Sequence, residues 1–166
     1  SSIEYVGIRE TYDIKCYYPY NNYIAAGIVV HNSGKSTLVQ TIIGNAQRKG
    51  LKVLLVDSEN SIEEDYAKNL GVDLDDLYII QLDESAGEGA YEKMEKMVDT
   101  GEIGLVVIDS YNALQPKKII EDGLDSANMG LHARMMSKVC AKVNNQCSQY
   151  GTTFIFVGKK KKKIGV

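Results

Sequence analysis

At 166 residues the chain has room for one ordinary domain, or for a small segment joined to most of one. Its net charge of −3 gives no global case for nucleic-acid binding, yet five positive charges stand together at Lys159–Lys163, and taking those five from −3 leaves −8. Cys16, Cys140 and Cys147 follow no paired or metal-ligand spacing, and neither a signal peptide nor an apolar run long enough for a bilayer is present, which points to a reducing cytoplasm and no membrane partner.

Tyr12 to Val30 carry little helical periodicity but many β-branched and aromatic residues, punctuated by Pro19 and the Asn21-Asn22 pair, so short strands joined by a turn are expected there. After Ser33 the pattern changes. Leu38, Ile42 and Ala46, with Val39 and Ile43 beside them, predict a helix whose apolar stripe stops at Gly50. Lys52 to Asp57 is an apolar run ending in an acid, the look of a buried parallel strand. Ser61 with Glu64, and Ser85 with Glu88, read as capping boxes opening helices that Gly71 and Gly101 close, with a strand at Leu77 to Leu82 between them. Leu105 to Asp109 is the next buried strand. Met136, Cys140, Val143 and Cys147 mark the expected buried face of a long helix ending near Gly151, and Thr153 to Val157 is the last strand. Strands alternating with helices predict an α/β fold with a mainly parallel sheet, whose ligands bind at the carboxyl ends of the strands.

Ser33-Gly34-Lys35-Ser36-Thr37 is the second half of a phosphate-binding loop, G-x-x-x-x-G-K-[ST], whose backbone N–H groups cradle phosphates while Lys reaches the terminal ones and the hydroxyl binds Mg²⁺. The pattern asks for Gly at position 29, and Val29 stands there.

From Ser33 onward the chain resembles the RecA family of recombinases. The resemblance is carried by Asp109-Ser110-Tyr111-Asn112-Ala113-Leu114-Gln115-Pro116-Lys117, by Asp125 to Ser137 with Met129-Gly130 inside it, by Tyr66-Ala67-Lys68-Asn69-Leu70-Gly71-Val72, and by Lys163-Ile164-Gly165-Val166. It implies a RecA-like P-loop NTPase core over 33–166, partial in extent, that uses ATP and Mg²⁺. By position, Gly34, Lys35, Ser36 and Thr37 would hold the phosphates together with Ser33. Ser36 and Asp109 would complete the metal shell, Tyr66 would form one wall of the adenine pocket, and Glu59 would orient the attacking water. Glu121 to Asn128 corresponds to the first DNA-binding loop, so Asp122, Gly123, Asn128, Met129 and Arg134, with Lys161 and Lys163 further on, are the candidate DNA contacts. The family has Asn-Gln after the last strand, where Gly158-Lys159 stand here.

Residues 1–32 resemble the C-terminal segment of an intein, an all-β piece. Thr11-Tyr12-Asp13-Ile14 is similar to the opening of the last conserved intein block, and Gly27-Ile28-Val29-Val30-His31-Asn32 to its end, with Ser33 as the required next residue. The histidine that many inteins carry is replaced by Asn21. The resemblance implies protein splicing at the Asn32/Ser33 bond, with Ser33 as acyl acceptor, Asn32 as the cyclising amide, and His31 and Asp13 assisting proton transfer.

These readings together describe a precursor of an ATP-dependent DNA recombinase, interrupted in its phosphate loop. This chain alone is expected to be inactive as an ATPase. A complementary N-terminal intein and recombinase fragment is the expected partner, with single- and double-stranded DNA and filament self-assembly after splicing. Two rivals stand beside it: a stand-alone small P-loop NTPase or kinase with a β extension, and a non-catalytic DNA-filament assembly module.

Overall fold

The computed structural model describes residues 22–25, 28–31, 34–60, 62–82, 86–122 and 130–158. Two strands come first, β1 (Asn22–Ala25) and β2 (Ile28–His31), paired antiparallel in a two-stranded sheet with Asn22 opposite His31 and Ala25 opposite Ile28. Asn22 is thus a strand residue, where the sequence suggested a turn, because the ladder closes at the opposite end of the pair.

The α/β part runs α1 (Lys35–Arg48), β3 (Lys52–Asp57), α2 (Glu64–Asn69), β4 (Leu77–Gln81), α3 (Ala86–Val98), β5 (Ile103–Asp109), α4 (Lys117–Asp122), α5 (Leu131–Tyr150) and β6 (Thr153–Val157). Strands β3 to β6 form one sheet in the order β4-β3-β5-β6, and every pair is parallel. Successive residues of a strand point to opposite faces, and the buried run of β3 serves both: Leu54 and Val56 pack on one side, Val53 and Leu55 on the other. The first side is covered by α3 and α5 through Ala90, Tyr91, Met94, Val98, Val139 and Val143. The second is covered by α1 and α2 through Val39, Ile43, Ala46 and Ala67. A layer of helices on each face of a parallel sheet is the arrangement that such doubly buried strands require. Ile43 and Leu54 are fully buried, and truncating either to Ala would cost about 2–5 kcal/mol.

Two local expectations are corrected in part. In α1 the buried face is centred on Val39, Ile43 and Ala46, while Leu38 is 63% exposed. The stripe is rotated because Gly44 brings the helix against backbone: a Cβ there would stand 2.6 Å from the Gly71 carbonyl oxygen. In α5 the buried positions are Val139, Val143 and Gln146; of the expected face, Val143, Met136 and Cys147 pack on the core and Cys140 is exposed. The helix turns this face to α3, where Lys142 Nζ meets Glu95 Oε2 at 2.6 Å and Gln146 Nε2 donates to Asp99 Oδ1 at 2.9 Å. Ser61 lies outside the described residues, and α2 starts after Glu63, whose extended backbone makes no side-chain cap hydrogen bond. The buried Asp57 carboxylate accepts from the Glu59 and Ile62 N–H groups at 3.3 Å each. Ser85 lies outside the described residues. Short α4 was not foreseen.

Candidate nucleotide site at the carboxyl edge of the sheet

The sheet places its polar residues where its topology turns. From β3 the chain continues to β4 on one side, while β5 lies on the other, so the crevice beyond the carboxyl ends of β3 and β5 is the switch point at which such folds bind ligands. Asp57 and Asp109, the last residues of those strands, are register partners. Both are buried, at 2% and 8% exposure. The apolar strand interiors carry them there, each being the first acid after a run of Val, Leu and Ile.

Beyond the two aspartates the loops are stitched together. Ser58 N–H donates to the Asp109 carbonyl at 2.9 Å, and Ser110 N–H donates to Ser58 Oγ at 2.8 Å. Ser58 Oγ in turn donates to the Ser110 carbonyl at 2.9 Å. The Ser110 hydroxyl donates to Glu59 Oε1 at 2.9 Å. The predicted acid Glu59 is therefore brought beside the Asp109 end of β5. The Asp109-Ser110 peptide bond is cis.

The half phosphate loop stands at the start of α1. Gly34 precedes it with φ 75°, a left-handed conformation that favours glycine, and a Cβ there would meet nothing within 4 Å. No side chain caps this helix, and its first turn holds no acid. Its leading N–H groups and positive dipole end suit a phosphate anion. Lys35 and Ser36 lie in that first turn, half-buried. Thr37 Oγ1 stands 2.7 Å from Tyr66 Oη, which joins α1 to α2 and sets the Tyr66 ring beside the loop.

Among the described residues no group of three His, Cys, Asp or Glu could cage a metal. Mg²⁺ takes one or two protein oxygens and completes its shell with phosphate and water; Ser36 and Asp109 carry oxygens of that kind.

The other described candidates stand on β2, α4 and α5. His31 ends β2, and Asp122 ends α4. Arg134 is exposed in the first turn of α5, its N–H donating to the Gly130 carbonyl at 2.9 Å. Asp13, Asn32, Ser33, Gly123, Asn128, Met129, Lys161 and Lys163 lie outside the described residues. Sequence reasoning gave no role to Ser58 or Ser110, since serine after a strand carries no periodic signal. It also missed His132, whose ring lies 6.4 Å from that of Tyr111 at 23° and whose Nε2 is 3.4 Å from the Tyr111 carbonyl oxygen. A Cβ at Gly158 would run into the Tyr111 ring. The residue standing where the family has Asn is thus matched to Tyr111.

No helix among the described residues is long and apolar enough to cross a membrane. The model of the RecA N-terminal domain matches residues 24–166. Proteins named Protein RecA are similar over 135 residues, 81% of this chain: 43% identical in Leifsonia xyli, 44% in Fusobacterium nucleatum and 41% in Streptantibioticus cattleyicolor. The chain spans 37% and 35% of the first two and 94% of the third. With a parallel sheet flanked by helices, a phosphate-loop half at the start of α1, and these relatives, the chain belongs to the RecA family.

Proposed function

We propose that the chain is a precursor segment of an ATP-dependent DNA recombinase, in which residues 1–32 are the C-terminal part of an intein and 33–166 a partial ATPase core. The observation that carries this reading is at the start of α1. Gly34 to Thr37 carry the second half of a phosphate-loop sequence at the start of α1, yet the strand just before them, β2, pairs with β1 in a separate antiparallel two-stranded sheet and carries Val29 where the loop needs Gly. A phosphate loop ordinarily follows a strand of the core sheet. An inserted segment ending at Asn32 accounts for both departures.

In the splicing step the Ser33 hydroxyl attacks the carbonyl that joins the upstream recombinase fragment to the other intein half, forming an ester as that junction bond breaks and the other intein half keeps the leaving group and the proton. The Asn32 side-chain amide then attacks its own backbone carbonyl, breaking the Asn32–Ser33 bond and releasing a succinimide. His31 supplies the proton for the departing amine, and Asp13 assists the preceding transfer. The freed Ser33 amine takes the acyl group from its own oxygen. Ser33 then becomes part of the restored loop.

In the restored core, Lys35 and the α1 N-terminus bind the phosphates, Ser36 and Asp109 hold Mg²⁺, and Tyr66 walls the adenine. Bound Mg²⁺ neutralises phosphate charge. Glu59 orients and helps deprotonate the attacking water. Met129, Arg134 and the Lys161 and Lys163 cations serve DNA binding, with filament assembly after splicing, in the cytoplasm.

The test is to mix the chain with a complementary fragment carrying the other intein half and the upstream recombinase sequence. Mass spectrometry should find a ligated product lacking residues 1–32. Its absence under several conditions, with Asn32 intact, would refute active splicing.

A further inference from the structure

Glu59 is a weak candidate by itself, because it is an exposed acid on a loop, and such a side chain has several rotamers open to it. What distinguishes it is the group it meets. Ser110 is 1% exposed, and its backbone is held on both sides: its N–H by Ser58 Oγ at 2.8 Å, its carbonyl by the same hydroxyl at 2.9 Å. The next residue is fixed as well, Tyr111 N–H donating to the Val157 carbonyl at 3.0 Å. With the main chain anchored to β3, β5 and β6, the Ser110 hydroxyl is a donor at a set place, and at 2.9 Å from Glu59 Oε1 it makes a hydrogen bond to a carboxylate.

We infer that Ser110 is a positioning residue for Glu59, holding Oε1 so that the carboxylate faces the crevice between β3 and β5 in one orientation. This rests on the reading of Glu59 as the group that orients water. Ser110 touches neither nucleotide nor water in this role. It acts through the carboxylate, converting a mobile loop acid into a preorganised one, where misplacement is costly. Ser58 is the brace: its single hydroxyl both accepts from and donates to the Ser110 backbone.

The experiment measures DNA-stimulated ATP turnover in the ligated protein. Ser110→Ala should lower kcat by about 10- to 100-fold, the range seen when an outer hydrogen bond to a working group is lost, with KM for ATP unchanged. Ser110→Thr, which keeps the hydroxyl, should recover part of the loss. In a Glu59→Gln background Ser110→Ala should have no further effect, since both changes break the same unit. If Ser110→Ala does not fold, Ser110→Cys keeps the shape with a weak donor and reads the same loss. Wild-type kcat in the folded Ser110 variants, or a loss that persists undiminished with Glu59→Gln, overturns the inference while leaving Glu59 in place. Wild-type turnover in Glu59→Gln alone overturns the assignment of Glu59 and the inference with it.

Discussion

The hydroxyls of Thr37 and Tyr66 stand 2.7 Å apart, joining the first turn of α1 to α2 across 29 residues of sequence. Thr37 also accepts through its carbonyl from the Thr41 hydroxyl at 2.8 Å, so the start of α1 is braced from two directions. Under the proposed function the same tyrosine would hold the loop by its hydroxyl and meet adenine with its ring.

Those two roles separate by mutation. Tyr66→Phe should cost about 0.5–1.5 kcal/mol in urea unfolding, the worth of a typical hydrogen bond, and leave nucleotide affinity of the ligated protein nearly unchanged. Tyr66→Ala should weaken nucleotide binding by about tenfold or more, since base–aromatic stacking contributes about 1–3 kcal/mol. Equal nucleotide affinity in the Phe and Ala variants would remove Tyr66 from the adenine pocket.

Gln40 is 4% exposed in α1, and its Oε1 has no hydrogen-bond partner. A buried acceptor left unpaired costs about 1–3 kcal/mol. Gln40→Leu, close in volume, should raise the urea midpoint without changing the slope. A lower midpoint would mean that the amide makes a contact worth more than its desolvation.

Much of this architecture was legible because burial on both faces forces apolar runs. Lys52–Asp57 and Thr153–Val157 came out at the expected bounds, and β5 differs only in starting at Ile103. Helix faces were less legible. A rotation of one residue separates Val39 from Leu38 and Val139 from Cys140; in α1, Gly44 lies against the Gly71 backbone, a contact distant in sequence. At the candidate site, the places of Glu59 and Asp109 beyond their strands could be read from the chain. Their bridge through Ser58 and Ser110 could not, because serine hydroxyls report a partner only once the fold supplies it.

Gly158 sits against the Tyr111 ring, where any side chain would collide. Gly158→Asn should destabilise the fold by about 1–3 kcal/mol through overpacking, and adding Tyr111→Ala should relieve most of that strain. Thermal melts of the single and double variants check it. Equal melting of Gly158→Asn and the parent would show that Tyr111 moves aside freely.

Burial pushes the Tyr91 phenol above its ordinary value, with Cys140 and Tyr111 adding to the shift, and its hydroxyl donates to Met136 Sδ at 3.1 Å. A raised folded value means that the contribution is whole below the unfolded value, about 10, and is lost as pH rises through the folded one. Stability should fall above about pH 10, and Tyr91→Phe should flatten that alkaline decline. A decline of the same steepness in Tyr91→Phe would place its origin elsewhere.

The proposed dependence of function on removing residues 1–32 is read most directly by phosphate release from ATP–Mg²⁺ with single-stranded DNA, before and after ligation to the complementary fragment. The chain alone should show no turnover, activity should rise in step with the ligated product, and the Asn32→Ala chain should stay silent in the same mixture. Turnover by the unligated chain, abolished by Lys35→Ala, would contradict the interrupted phosphate loop.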